Sequence, residues 1–175
     1  MEQKRKLYVL LTRFPGKAAI AIHAFTGCYY THASIGLEED LNTFYSIVGK
    51  GFIVEKITRY VRPDREPFPC QLYEMEVSEK VYTTVKTLLL ECVENKNSYQ
   101  YSKLGVVLCL LHIPFKRKYH YFCSQFVAEI LRNAQAASLK KHSTLYHPGD
   151  FRKMPGMRLQ FQGNLQGMMG HYTLA

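Results

Sequence analysis

The spacing of apolar and polar positions divides the chain into short extended runs and a few helices. Leu7 to Thr12 (LYVLLT) is an apolar, β-rich run that stops before Pro15-Gly16. Lys17 to Phe25 (KAAIAIHAF) is rich in helix formers and closes at Gly27. Ala33 to Leu37, Asn42 to Val48 and Gly51 to Ile57 are short, β-branched and close together, which predicts neighbouring antiparallel strands. A proline-rich charged loop, Pro63 to Pro69, precedes an alternating strand over Leu72 to Val77. Ser78 can then cap a helix whose apolar positions Val81, Val85, Leu88, Leu89 and Cys92 recur at three- and four-residue spacing.

Tyr99 to Leu111 begins polar and aromatic and runs into the apolar GVVLCLL segment, too short to span a bilayer and read as a buried helix. In Tyr121 to Leu131 (YFCSQFVAEIL) the residues Phe126, Val127, Ile130 and Leu131 fall at helical spacing. Cys123 stands at the start of that helix, on the same face as Val127 and Leu131, and so points inward. From His147 to the end the chain is Gly- and Met-rich and reads as irregular.

At 175 residues with 47% hydrophobic content the chain fits one domain, 1–175, with a substantial core. The formal net charge of +9 admits an anionic partner. No helix-turn-helix, zinc-finger or single-strand-binding signature accompanies it, so nucleic acid is not the expected partner. Five cysteines, at 28, 70, 92, 109 and 123, form no CxxC pair, which argues against a disulfide framework and a structural zinc site. His120 lacks a second ligand pair, and no metal or cofactor is expected. The apolar stretch near the start, Leu7 to Leu11, is too short for a secretory segment, so a reduced, cytoplasmic setting is the expectation.

The chemistry concentrates at Cys123. Free backbone N–H groups at a helix start favour a thiolate and can also hold an oxyanion. What such a cysteine then needs is a base, and among seven histidines His32 opens an apolar strand, where rigid backbone would hold it at a sheet rim. Cys28, Cys70, Cys92 and Cys109 read as packing residues.

A His strand in the setting T-H-A-S-I-G-L (31–37), a second strand close behind it, and a later helix opening Y-F-C-S-Q-F-V-A-E (121–129) resemble the circularly permuted branch of the NlpC-type papain-like cysteine hydrolases. That branch is similar in plan to YiiX-like proteins and to the lecithin:retinol acyltransferase family. The resemblance implies an α+β, permuted papain-like fold, with an antiparallel sheet of about five strands and the Cys-bearing helix packed on it. The element order above agrees with that plan. It also implies that Cys123 is the nucleophile, that His32 is its base, and that a polar residue on a following strand orients the imidazole. Ser46 is the positional match for that orienter, and Glu55, one strand later, is the chemically stronger acceptor. The oxyanion side of the family carries a tyrosine, for which Tyr30, Tyr119 and Tyr121 are candidates beside Ser124.

The expected activity is hydrolysis of a peptide, isopeptide or amide bond through an acyl-enzyme. One alternative, a lipid acyltransferase or phospholipase with peripheral membrane contact, is suggested by the apolar 104–111 segment and the basic loop after it. The other is a non-catalytic binding module that keeps the fold.

Overall fold

The computed structural model describes residues 4–64 and 66–173. Residues 1–3, 65 and 174–175, which include the very start of the basic N-terminus and one position of the proline-rich loop, lie outside the described residues.

Six strands form one antiparallel sheet: β1 (Lys4–Thr12), β2 (His32–Leu37), β3 (Thr43–Val48), β4 (Gly51–Lys56), β5 (Pro69–Ser78) and β8 (Met157–Asn164), in the order β4-β3-β2-β1-β5-β8. Between them run α1 (Lys17–Thr26), α2 (Glu79–Glu94), α3 (Lys103–Leu110) and α4 (Cys123–Asn133), with α5 (Leu165–Thr173) at the end. Two further short strands, β6 (Gln100–Tyr101) and β7 (His120–Tyr121), pair in parallel apart from the main sheet.

β1 is covered on both faces, which is why its sequence is apolar at consecutive positions and does not alternate. Leu7, Val9 and Leu11 join the larger core with α2 and α4, while Tyr8 and Leu10 meet Phe44, Leu72, Leu165 and Met168 on the opposite side. α4 presents Phe126, Val127, Ile130 and Leu131 to Ala33 and Ile35 of β2, so the cysteine helix lies against the histidine strand. α2 starts at Ser78, whose Oγ accepts from the Val81 N–H at 3.4 Å. Such a cap stabilises a helix by about 1 kcal/mol.

The sheet has six strands where about five were expected. The extra one, β8, comes from the stretch read as irregular. Its residues are mostly exposed or half-buried, and it is held at the edge of β5, with a bulge between Leu72 and Tyr73. Exposed edge pairing leaves little periodic apolar signal in the sequence.

Two close approaches set the shape near the later site. Gly36 lies under the Phe44 ring, and a Cβ there would sit 2.7 Å from it. Gly51, at φ 99°, brings the β3–β4 turn so close to the Tyr99 carbonyl that a Cβ would stand 2.6 Å from the oxygen. Only glycine adopts that φ without strain. This contact seats the segment that continues into β6.

Candidate active site

Cys123 is the first residue of α4, preceded by Phe122 in extended conformation. The backbone N–H groups of Ser124 and Ala33 both donate toward its sulfur. The sulfur and the His32 side chain are within hydrogen-bonding reach of each other. On the far side of the ring, His32 Nε2–H donates to Glu55 Oε1 at 2.6 Å. Because Nε2 is committed to Glu55, Nδ1 is the nitrogen left to face the sulfur. Cys123, His32 and Glu55 are all buried, at 5%, 7% and 3% exposure, so their mutual interactions are little screened by water.

The electrostatics follow from that burial. Alone, burial would raise the Cys123 thiol pKa, but the hydrogen bond and positive charge of His32, with the two backbone donors, outweigh it and hold Cys123 below the ordinary thiol range. Burial would likewise lower His32, and Glu55 with Cys123 overrides this and raises it. The two shifts are reciprocal and describe a thiolate–imidazolium pair braced by a carboxylate. Glu55 Oε2 has no hydrogen-bond partner within the protein, which leaves the imidazolium as the carboxylate's principal stabiliser among the described residues. The other cysteines are free, buried and shifted the opposite way: burial pushes Cys70 to about 12 and Cys109 to about 11, and raises Cys28 and Cys92 as well.

Of the two orienter candidates, Glu55 meets the imidazole. Ser46 Oγ donates to the Ala33 carbonyl at 2.7 Å instead. The β2–β3 ladder pairs at Ile35–Tyr45 and Gly36–Phe44 and no nearer to His32, so Ser46 fills the opening and fixes the backbone next to the histidine. Strand alternation left both residues eligible; the opening of the ladder separated them. Phe14 packs on the imidazole with ring centroids 5.4 Å apart.

The oxyanion candidates scatter. Ser124 Oγ is occupied as a donor to the Tyr146 carbonyl at 2.7 Å, so it is the Ser124 backbone N–H that faces the sulfur. Tyr30 packs edge-on against Tyr29. Tyr121 packs on Phe126 and Tyr99, and Tyr119 is a partly exposed neighbour of Tyr99. The tyrosine beside Cys123 is Tyr101, whose hydroxyl is held above its usual range by burial and by the nearby sulfur. The β6–β7 pairing brings it there by placing Tyr101 next to Tyr121, two residues before the cysteine. A two-residue parallel bridge has no sequence signature, so Tyr101 was not legible beforehand.

A cleft beside Cys123 is lined by Ile22 of α1, by Val106, Cys109 and Leu110 of α3, and by Tyr101 and His147. Burial keeps His147 below its usual pKa despite Asp150 at 3.4 Å, so it is neutral at pH 7. The void is only about 20 Å³, room for about one water, and α1 with α3 roofs the sulfur. Among the described residues no group of three or more His, Cys, Asp or Glu is arranged to hold a metal ion, and no helix is long and apolar enough to cross a membrane.

No protein-family model matches the chain, and no curated protein matches it.

Proposed function

We propose that the protein is a cysteine-dependent acyl hydrolase working through an acyl-enzyme, with Cys123 as nucleophile, His32 as proton carrier and Glu55 as the residue that orients and charges the imidazole. The observation that carries this reading is the contiguous Cys123–His32–Glu55 line, with the thiol lowered and the imidazole raised. The thiolate attacks a carbonyl carbon and forms the S–C bond, while the carbonyl oxygen takes the negative charge beside the Ser124 N–H. His32 gives its Nδ1 proton to the leaving nitrogen or oxygen. It then takes a proton from the water that cleaves the thioester, restoring the thiolate and releasing a carboxylic acid.

An amide or peptide bond is the first substrate class. A second reading, transfer or hydrolysis of a lipid acyl group, is favoured by the apolar lining from Ile22, Val106 and Leu110. Both classes are tested with peptidyl-coumarin amides and acyl-coumarin esters of increasing chain length, with intact-mass detection of the acylated protein. The expected result is an adduct on Cys123 and loss of turnover in Cys123→Ala. Equal turnover by parent and Cys123→Ala would overturn the proposal.

A further inference from the structure

α1 and α3 do not look like helices built to face water. A surface helix ordinarily carries one apolar stripe and an opposite polar face. α2 does so, burying Tyr82, Val85, Leu89 and Cys92 and exposing Lys80, Thr83, Thr87 and Glu91. By contrast α3 (KLGVVLCL) has Lys103 as its one charged residue, and α1 (KAAIAIHAFT) is nearly as apolar. Both are apolar on all sides, yet both lie at the surface. Ile20 and Phe25 of α1, Leu104 and Val107 of α3, and Leu111 and Ile113 just after it are between 49% and 71% exposed. Leu104, Val107 and Leu111 follow i, i+3, i+7 spacing and form one outward stripe. α1 and α3 contact each other, so these residues belong to one region.

The segments that carry them are basic, and of the acidic groups beside the two helices Asp150 is paired with Lys141 at 2.8 Å while Glu66 shares a groove with Ile20 and Arg13. Residues 4–37, which contain α1, and residues 95–128, which contain α3, include no aspartate or glutamate. Lys103 stands at the start of α3, and the exposed Lys116-Arg117-Lys118 loop follows Ile113. Lys116 is engaged with Glu129 at 3.0 Å, which leaves Lys103, Arg117 and Lys118 as the exposed cations that flank the stripe along the chain.

We infer that α1 and α3 form a docking surface for an anionic lipid bilayer, with the apolar side chains in the acyl boundary and Lys103, Arg117 and Lys118 at the headgroups. Neither helix is long enough to cross, so the protein lies on the bilayer. A second copy is the poorer occupant. A two-fold contact through this face would bring two sets of Lys103, Arg117 and Lys118 into one interface to which neither α1 nor α3 contributes a carboxylate, whereas anionic headgroups neutralise them. The surface is also the roof of the cleft, since Ile22, Val106 and Leu110 of the same two helices line it. Docking therefore acts on the elements that must part before an acyl group can reach Cys123.

Sedimentation with vesicles of pure phosphatidylcholine and of phosphatidylcholine with phosphatidylglycerol tests the inference. Parent protein is expected to bind the anionic vesicles, with affinity falling as salt rises, and to bind the neutral vesicles at least about tenfold less tightly. Leu104→Ser/Val107→Ser is expected to weaken anionic binding by about tenfold or more, because two apolar side chains no longer enter the acyl region. These residues are exposed, so the variant should melt as the parent does; should it not, Phe25→Ser makes the same test on α1. Absence of binding to anionic vesicles would overturn the inference, as would binding that the apolar substitutions leave unchanged, or a dimer in sedimentation velocity that they dissociate. Cys123→Ala should bind as the parent does, so a failure of docking is separable from a failure of the chemistry.

Discussion

Replacing Glu55 by glutamine isolates the charge that braces His32, because the amide keeps the shape and its carbonyl still accepts from Nε2–H. With Nε2 and Oε1 2.6 Å apart, the charge centres lie about 4 Å from each other, worth about 4 kcal/mol at an effective dielectric near 20. The surviving neutral hydrogen bond and local relaxation return part of this. The net loss is between about 2 and 4 kcal/mol, or roughly 30- to 1,000-fold in the ratio of the thiolate–imidazolium pair to the neutral pair. In the parent, Cys123 lies below and His32 above the ordinary range, so the window between them is wider than for the free groups, and the ion pair is lost when acid protonates the thiolate or base deprotonates the imidazolium. In Glu55→Gln the imidazolium is weaker, the thiol rises, and reactivity should climb with pH like that of an ordinary cysteine. The assay is the rate of iodoacetamide labelling at Cys123, followed by peptide mass spectrometry from about pH 5 to 9. Opening of the roof limits access equally in both proteins and cancels in the ratio. A Glu55→Gln profile within about twofold of the parent across that range would refute the reasoning, since a buried carboxylate at this distance must be felt.

Other consequences are as concrete. At pH 7 iodoacetamide should label Cys123 well before Cys70 and Cys109, whose thiols burial pushes to about 12 and about 11; equal labelling of all three would mean Cys123 is an ordinary thiol. Ser46→Ala removes the bond to the Ala33 carbonyl and should cost about 1 kcal/mol in denaturant unfolding, while Cys123 labelling keeps the parent's pH profile. On the proposed acyl-enzyme reading, in which the Tyr101 hydroxyl would serve the oxyanion rather than the resting thiolate, Tyr101→Phe should slow turnover about tenfold and leave the labelling rate unchanged; a parallel fall in labelling would assign Tyr101 to the ion pair instead. Gly36→Ala drives a methyl into the buried Phe44 ring and should destabilise by about 1–3 kcal/mol, read as a shifted unfolding midpoint.

The local elements of this protein are written in its sequence because they follow from periodicity and caps. β1, the α2 cap at Ser78 and the inward face of α4 each depend on residues within a few positions of one another. The same locality singles out Cys123, since free N–H groups at a helix start lower a thiol's pKa, and makes His32 stand out at the head of a strand. Edge strand β8 stayed hidden because most of its side chains face solvent and its stability comes from β5. Three features of the site belong to tertiary structure alone. Glu55 prevails over Ser46 because the β2–β3 ladder opens beside Ala33, a separation between strands that neither strand encodes by itself. Tyr101 reaches Cys123 through a two-residue bridge. α3, read from its sequence as buried, and α1 roof the sulfur while keeping large side chains in solvent, because too few neighbours pack against their outer faces to cover them. Hydrophobicity establishes only that a segment seeks an apolar contact, and the fold decides which of its faces finds one.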